Sequence, residues 1–223
     1  MIGMENESAL HLALKLFYSG EQGKTEQAVG GYICDAVRKD GVIVEVQTGN
    51  FKPIEKKLKT LCAERKVILV HPIIAVKTIK TYTKDGVLLN TRKSPIHEDV
   101  WDIFEALLYC PSLAVMPNLT FNLALVDIAQ RRVRDGKGSR RRRGASAKDK
   151  MLSAFLGAVT LEGKKDFVKL IPFKKSDTWT AGDLAKKANI YSTLAGKAVY
   201  VLSRSGIIKQ VGKRQRAYLY KIV

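Results

Sequence analysis

Apolar positions recur at helical spacing from Ser8 to Tyr18. Leu10, Leu14 and Phe17 form a stripe, which Ala13 and Leu16 widen. Two short β-branched runs follow, Tyr32–Val37 and Val42–Gln47, and the Asp40-Gly41 pair between them predicts a hairpin. Thr48-Gly49-Asn50 ends the second run. Pro53 suits the first turn of a helix that buries Ile54, Leu58 and Leu61. Val67-Ile68-Leu69-Val70 is apolar without alternation, the pattern of a strand covered on both faces. Further on, Thr78–Thr83 and Gly86–Thr91 flank Lys84-Asp85-Gly86 as a second hairpin. Val100, Ile103, Phe104 and Leu107 predict a helix over Asp99–Tyr109. Pro111 and Pro117 bracket a loop, and Leu119–Val126 reads as a strand feeding Asp127–Arg134.

The first hairpin carries chemistry, and its register decides what kind. A three-residue loop, Lys39–Gly41 with Gly41 left-handed, sets Arg38 opposite Val42 and therefore Asp35 opposite Glu45. Directly opposed side chains share a face about 5 Å apart. A two-residue loop would send the two acids to opposite faces. The three-residue loop is the expectation taken here, with Ile33, Asp35, Val37, Ile43, Glu45 and Gln47 on one face. Two adjacent carboxylates repel unless a cation lies between them, and Mg²⁺ is held through one or two carboxylates plus water and substrate phosphate.

An Asp, then Glu-x-Lys about ten residues on, in a hairpin followed by a helix and a strand, is the signature of the PD-(D/E)xK, or restriction-endonuclease-like, nucleases. Residues from Glu7 to Ile79 resemble that core. Asp35 matches the first acid and Glu45 the second. Gln47 stands where the family usually has Lys. The resemblance implies Asp35 and Glu45 as ligands of Mg²⁺ (or Mn²⁺), Glu26 or Glu7 as the additional acid, and a water-orienting role for Gln47. Lys57, from the helix that also carries Lys56 and Lys59, would supply the missing cation.

Composition points to a polyanionic partner. The formal net charge is +18 over 223 residues. Such an excess favours polyanions through counterion release and says nothing about sequence preference. The densest basic segment is Arg131 to Arg143, in which Arg140, Arg141, Arg142 and Arg143 are consecutive. Its Gly and Ser content and like charge predict a mobile linker that contacts DNA backbone. Cys34, Cys62 and Cys110 are odd in number and far apart, and with His11, His71 and His97 they complete no zinc set. That usage points to a reducing cytoplasm. No apolar run is long enough to span a bilayer, so no membrane partner is expected. No organic cofactor is expected either.

The C-terminal pattern is helix, turn, helix, hairpin. Thr180 caps Ala181–Ala188. Ser192 caps Thr193–Arg204, and Gly206 ends it. Ile207–Val211 and Ala217–Val223 then flank a basic turn, Gly212–Arg216. Asp177 to Val223 resembles a winged helix-turn-helix, which implies helix contacts to DNA from Lys197, Tyr200 and Arg204 and wing contacts from Lys213, Arg214 and Arg216.

The expected fold is therefore α/β. Residues 1–135 form a restriction-endonuclease-like mixed sheet flanked by helices, residues 136–150 a basic Arg-rich linker or loop, and residues 151–223 a small winged-helix domain. The expected function is metal-dependent hydrolysis of DNA phosphodiester bonds, and cutting both strands would favour a homodimer. A non-catalytic DNA-binding regulator on a decayed nuclease scaffold and an RNA-processing protein remain as alternatives.

Overall fold

A computed structural model describes residues 8–223. Its centre is a seven-stranded mixed sheet in the order β1-β2-β3-β4-β6-β7, with β5 added to β4. The strands are β1 (Lys24–Val29), β2 (Tyr32–Val37), β3 (Ile43–Val46), β4 (Val67–Tyr82), β5 (Leu88–Lys93), β6 (Leu119–Arg134) and β7 (Ala145–Glu162). α1 (Ala9–Ser19) covers one face, where Leu10 and Leu14 bury against Ala36, Val44, Val70 and Ala124. α2 (Glu55–Glu64), α3 (Ile103–Leu107) and α4 (Gly163–Leu170) cover the other, around Ile43, Leu69, Phe104, Phe121 and Phe167. This is the α/β class, with a mixed sheet between helices.

β4 is one long strand where the apolar pattern suggests two short segments. Pro72 lies within it and is tolerated because of what lies alongside. β6 runs parallel along one side for the whole length of β4. On the other side β3 pairs only from Val67 to Val70, and β5 pairs only from Thr78 to Tyr82. The ring nitrogen of Pro72 faces the interval between them, so its missing N–H breaks no ladder bond. Two residues on, the Ile74 amide donates to the Glu98 carboxylate at 2.9 Å, and Ile74 C=O accepts from Glu98 N–H at 2.9 Å.

Several expectations are corrected. Residues 136–150 are no linker: β6 turns at Asp135–Gly144 and pairs with β7 from Arg134↔Ala145 to Thr120↔Glu162, so the main sheet continues to residue 162. β7 is an edge strand with half-exposed faces, which leaves it without a strong apolar alternation. β1 and α4 are elements beyond those expected from the sequence; α4 is short but amphipathic, burying Phe167. Asp99 caps a 3-10 turn, Val100–Asp102, which passes into the short α3; no single helix spans Asp99–Tyr109. In α1, Leu16 and Phe17 face outward, and Tyr18 packs at the core instead.

The C-terminal elements are α5 (Ala181–Lys187), α6 (Ser192–Arg204), β8 (Ile208–Arg214) and β9 (Ala217–Ile222). Thr180 and Asp183 form a reciprocal cap on α5. Trp179 exchanges both backbone hydrogen bonds with Tyr220, a single bridge that ties the chain before α5 to β9. These elements are not a detached unit. Leu184, Leu194, Ala198, Leu202 and Trp179 belong to the same apolar cluster as Phe104, Phe121 and Phe167. The two tryptophans, Trp101 and Trp179, therefore report one shared core. Phe121, between Phe51 and Phe167 at ring separations of 5.8 Å, is its centre. Phe121→Ala should cost about 3–5 kcal/mol, measured by urea unfolding. Fluorescence and circular dichroism should still follow one transition.

Candidate functional site

The site begins where β2 and β3 stop pairing. Gly41 is left-handed, at φ +80°, and Arg38 N–H bonds Val42 C=O at 2.9 Å, which is the three-residue loop. The ladder runs through Val37↔Ile43 and Ala36↔Val44 and then ends. Cys34 and Val46 would be the next hydrogen-bonded pair. Instead, Val46 N–H donates to Asp35 Oδ2 at 2.7 Å, and Val46 C=O accepts from His11 Nε2 at 2.9 Å. His11 Nε2 is also 3.4 Å from Asp35 Oδ2. An Asp from β2 and a His from α1 thus replace one rung of the sheet.

This arrangement changes what the register implied. Glu45 is nearly fully buried and turns to α2, where Lys57 Nζ donates to its Oε2 at 2.6 Å and to Ile33 C=O at 2.7 Å. Asp35 turns to His11 on α1. The two acids remain close enough to influence each other's protonation, but each is held by a different helix and they do not stand as a simple facing pair. The Cys34 thiol also hydrogen-bonds the Glu45 carboxylate, and Glu45 Oε1, which is buried, finds no N–H or O–H donor.

The protonation behaviour differs accordingly. Burial pushes the Glu45 pKa above its ordinary range, against the pull of Lys57. Burial also works to raise Asp35, but His11 and the Val46 amide outweigh it and hold Asp35 below the usual carboxylate range. Burial, with Glu45 beside it, pushes Cys34 up to about 11, so it stays a neutral thiol.

Other predicted residues lie around this centre. Gln47 follows β3. Its Nε2 donates to Asn50 C=O at 2.9 Å, and its carbonyl accepts from His71 Nδ1 at 2.6 Å. A carbonyl can only accept, so His71 carries its proton on Nδ1 and leaves Nε2 as an acceptor. Burial lowers the His71 pKa and keeps it neutral. His71 lines a cavity of about 290 Å³ with Thr48, Asn50, Glu98 and Asp102. Glu26 lies in β1 with φ +53°, and its carboxylate pairs with Lys15 at 2.6 Å. Its carboxylate is thus engaged at Lys15, and no contact with Asp35 or Glu45 is seen. Glu7 lies outside the described residues. Among the described residues no three His, Cys, Asp or Glu side chains are grouped to hold a metal.

The basic candidates divide. Tyr200 and Arg204 are exposed on α6, with the guanidinium 5.7 Å from the ring centroid. Lys197 pairs with Glu105 of α3 at 2.6 Å, which neutralises it against the main body. Arg214 pairs with Asp183, Lys213 lies over the Tyr218 ring, and Arg216 is exposed in the turn between β8 and β9. Arg140, Arg141 and Arg142 form a 3-10 turn, and Arg143 is left-handed. Nothing in the local sequence singles out His11, because it adjoins an apolar helix stripe; only the docking of α1 against the end of β3 brings it to Asp35 and Val46.

Residues 8–162 match a family model described as a domain of unknown function, DUF8091. The chain belongs to that family. The DUF8091 match runs from α1 through β7, so it takes in the sheet, Asp35, Glu45 and Lys57, and it stops before α4. An uncharacterized protein of Treponema pallidum (strain Nichols) is 28% identical over 215 residues, covering 96% of this chain and 85% of that relative. No solved structure matches.

Lys57→Met should leave Glu45 buried and unpaired, costing about 3 kcal/mol. Replacing both partners, with Lys57→Met and Glu45→Leu, should recover much of that loss in the same urea titration. The pH dependence has a defined sign. Because folding raises the Glu45 pKa, its ionisation opposes folding at neutral pH. That opposition is relieved as pH falls toward the raised value, above the ordinary 4.5. Glu45→Gln should remove this contribution from a stability-against-pH curve, whereas Asp35→Asn should remove stability that wild type keeps until pH falls through the lowered Asp35 value.

Proposed function

We propose that the chain is a metal-dependent DNA nuclease in which Asp35 and Glu45 hold a divalent cation. The observation that carries this reading is the buried Glu45 carboxylate, whose Oε1 finds no N–H or O–H donor and whose donors are Lys57 and the Cys34 thiol, beside an ionised Asp35 at the end of a short parallel strand. A buried carboxylate oxygen served by nothing stronger than a thiol is costly, and a hard cation would satisfy it better. In this reading Mg²⁺ or Mn²⁺ would be held by the Asp35 and Glu45 carboxylates, on a strand end that also carries Gln47. The ion's chemistry would be to lower the pKa of bound water and neutralise charge on the phosphate.

The protein's own groups have separate roles in this reading. Lys57 holds Glu45 in its buried position and supplies the positive charge that Gln47 lacks. His11 and the Val46 amide keep Asp35 ionised. Gln47, fixed by Asn50 and by His71 through its backbone, orients a water. The C-terminal order α4, the Trp179 bridge, α5, α6, β8, β9 is that of a winged helix, which would present Tyr200, Arg204 and Arg216 to DNA.

A second reading is favoured by one feature. Asp35 and His11 already satisfy the Val46 backbone, and Lys57 already neutralises Glu45, so these residues also complete the fold without a cation. That would suit a DNA-binding regulator.

Incubation of supercoiled plasmid with the full chain and Mg²⁺ or Mn²⁺ tests the proposal. Nicking by wild type is expected, with loss in both Asp35→Ala and Glu45→Ala and none with chelator. Salt-sensitive DNA binding by all three proteins without any nicking would overturn the nuclease and favour the regulator.

A further inference from the structure

The far ends of β4, β6 and β7 extend well beyond the acids. Glu45 pairs with Leu69 on β4, and Thr81 lies further along the same strand, about 40 Å away at ~3.3 Å per residue. There Asn90 of β5, Thr81 of β4 and Arg132 of β6 are direct cross-strand neighbours. Arg134 follows on the same face of β6. The β6–β7 turn brings Arg142 and Arg143 to this ladder, and together these residues line a cavity of about 300 Å³.

The turn is built, not loose. Gly138 N–H bonds Gly144 C=O at 3.1 Å, and Arg143 N–H bonds Arg140 C=O at 3.0 Å. A Cβ on Gly138 would lie 2.0 Å from the Ala145 carbonyl oxygen, so only glycine permits this crossing. Asp135, the nearest acid in the turn, is taken by Ser146 and Lys148.

The cluster has no internal counter-charge. None of the four arginines lining the cavity forms a salt bridge among the described residues. Arg132 donates through Nη2 to Gln130 Oε1 at 3.1 Å, which orients its guanidinium, yet its buried Nε has no partner. Burial and the nearby Arg142 and Arg92 also disfavour its charged form. A fold that gathers arginines around an unsatisfied donor, with a hydroxyl and an amide beside them, is set for an oxyanion.

We propose that Arg132, Arg134, Arg142 and Arg143, with Thr81 and Asn90, form a seat for the phosphate backbone of DNA. Four guanidinium groups exceed the charge of one phosphodiester, so the seat spans successive phosphates on a strand, which favours a polymer over free phosphate. This rests on the DNA reading above and adds to it a contact surface remote from the acids.

Fluorescence anisotropy of a labelled duplex with the full chain, across a salt series, tests the seat. Arg132→Gln with Arg134→Gln should weaken binding about tenfold or more and lower the salt slope by about 2. Arg142→Gln with Arg143→Gln, in the exposed turn, should do the same without touching the sheet. Tyr200→Ala with Arg216→Gln provides the comparison at the C-terminal end. Unchanged affinity in both arginine pairs, with loss only in the comparison variant, would overturn the seat and leave DNA binding standing. Wild-type protein that binds inorganic pyrophosphate or phosphatidylserine vesicles through these arginines, but no duplex, would overturn both.

Discussion

Backbone hydrogen bonding along one side of β4 governs this molecule. β6 pairs along the whole other side, with one irregularity between Ile74 and Val76, but the first side is shared by β3, by Glu98 and by β5 in succession. Each must end where the next begins, because an unpaired buried backbone group costs free energy. β3 is four residues long, and just past its end His71 reaches the Gln47 carbonyl. On its other side β3 loses β2 after Ala36↔Val44, and Asp35 and His11 supply the partners that Val46 lacks there.

The candidate site is thus inseparable from the fold's need to terminate a strand. Its electrostatics follow from which helix reaches which acid. α2 brings Lys57 to a buried Glu45, whose ionisation burial opposes. α1 brings His11 to a half-buried Asp35, whose ionisation is favoured. Two carboxylates a few residues apart in space acquire different protonation behaviour from different packing, an asymmetry common to sites where one group must remain charged while another responds to a ligand.

The positive charge is likewise unevenly distributed. Some of it is already neutralised by the chain itself, as at Lys57, Lys197 and Arg214. The arginines at the β6–β7 end are not, and they are positioned by glycine crossings and strand register instead of by acids. A net charge says only that an anion is attracted. The location of unpaired guanidinium groups says where.

Much was legible from local pattern. The Asp40-Gly41 turn and its three-residue loop, the helix stripe of Leu10 and Leu14, and the Thr180 cap all arise from interactions within a few residues, so their signals lie in adjacent letters. Asp35, Glu45 and Lys57 could be nominated for the same reason, since chemistry-bearing side chains near a strong turn stand out. What local pattern could not decide was which way those side chains turn: that depended on β2 and β3 separating after Ala36↔Val44, while β3 stays paired with β4 as far as Val46. Nor could it show that the Arg-rich segment is a strand turn, because an edge strand with half-exposed faces leaves little periodicity, and its partner β6 precedes it across a turn that charge alone makes look disordered. Residue types and short-range geometry came from the sequence by itself. The partners of Glu45, His11 and Arg132 were decided by tertiary structure, because long-range backbone pairing settles which buried polar groups are satisfied and which remain open to a ligand.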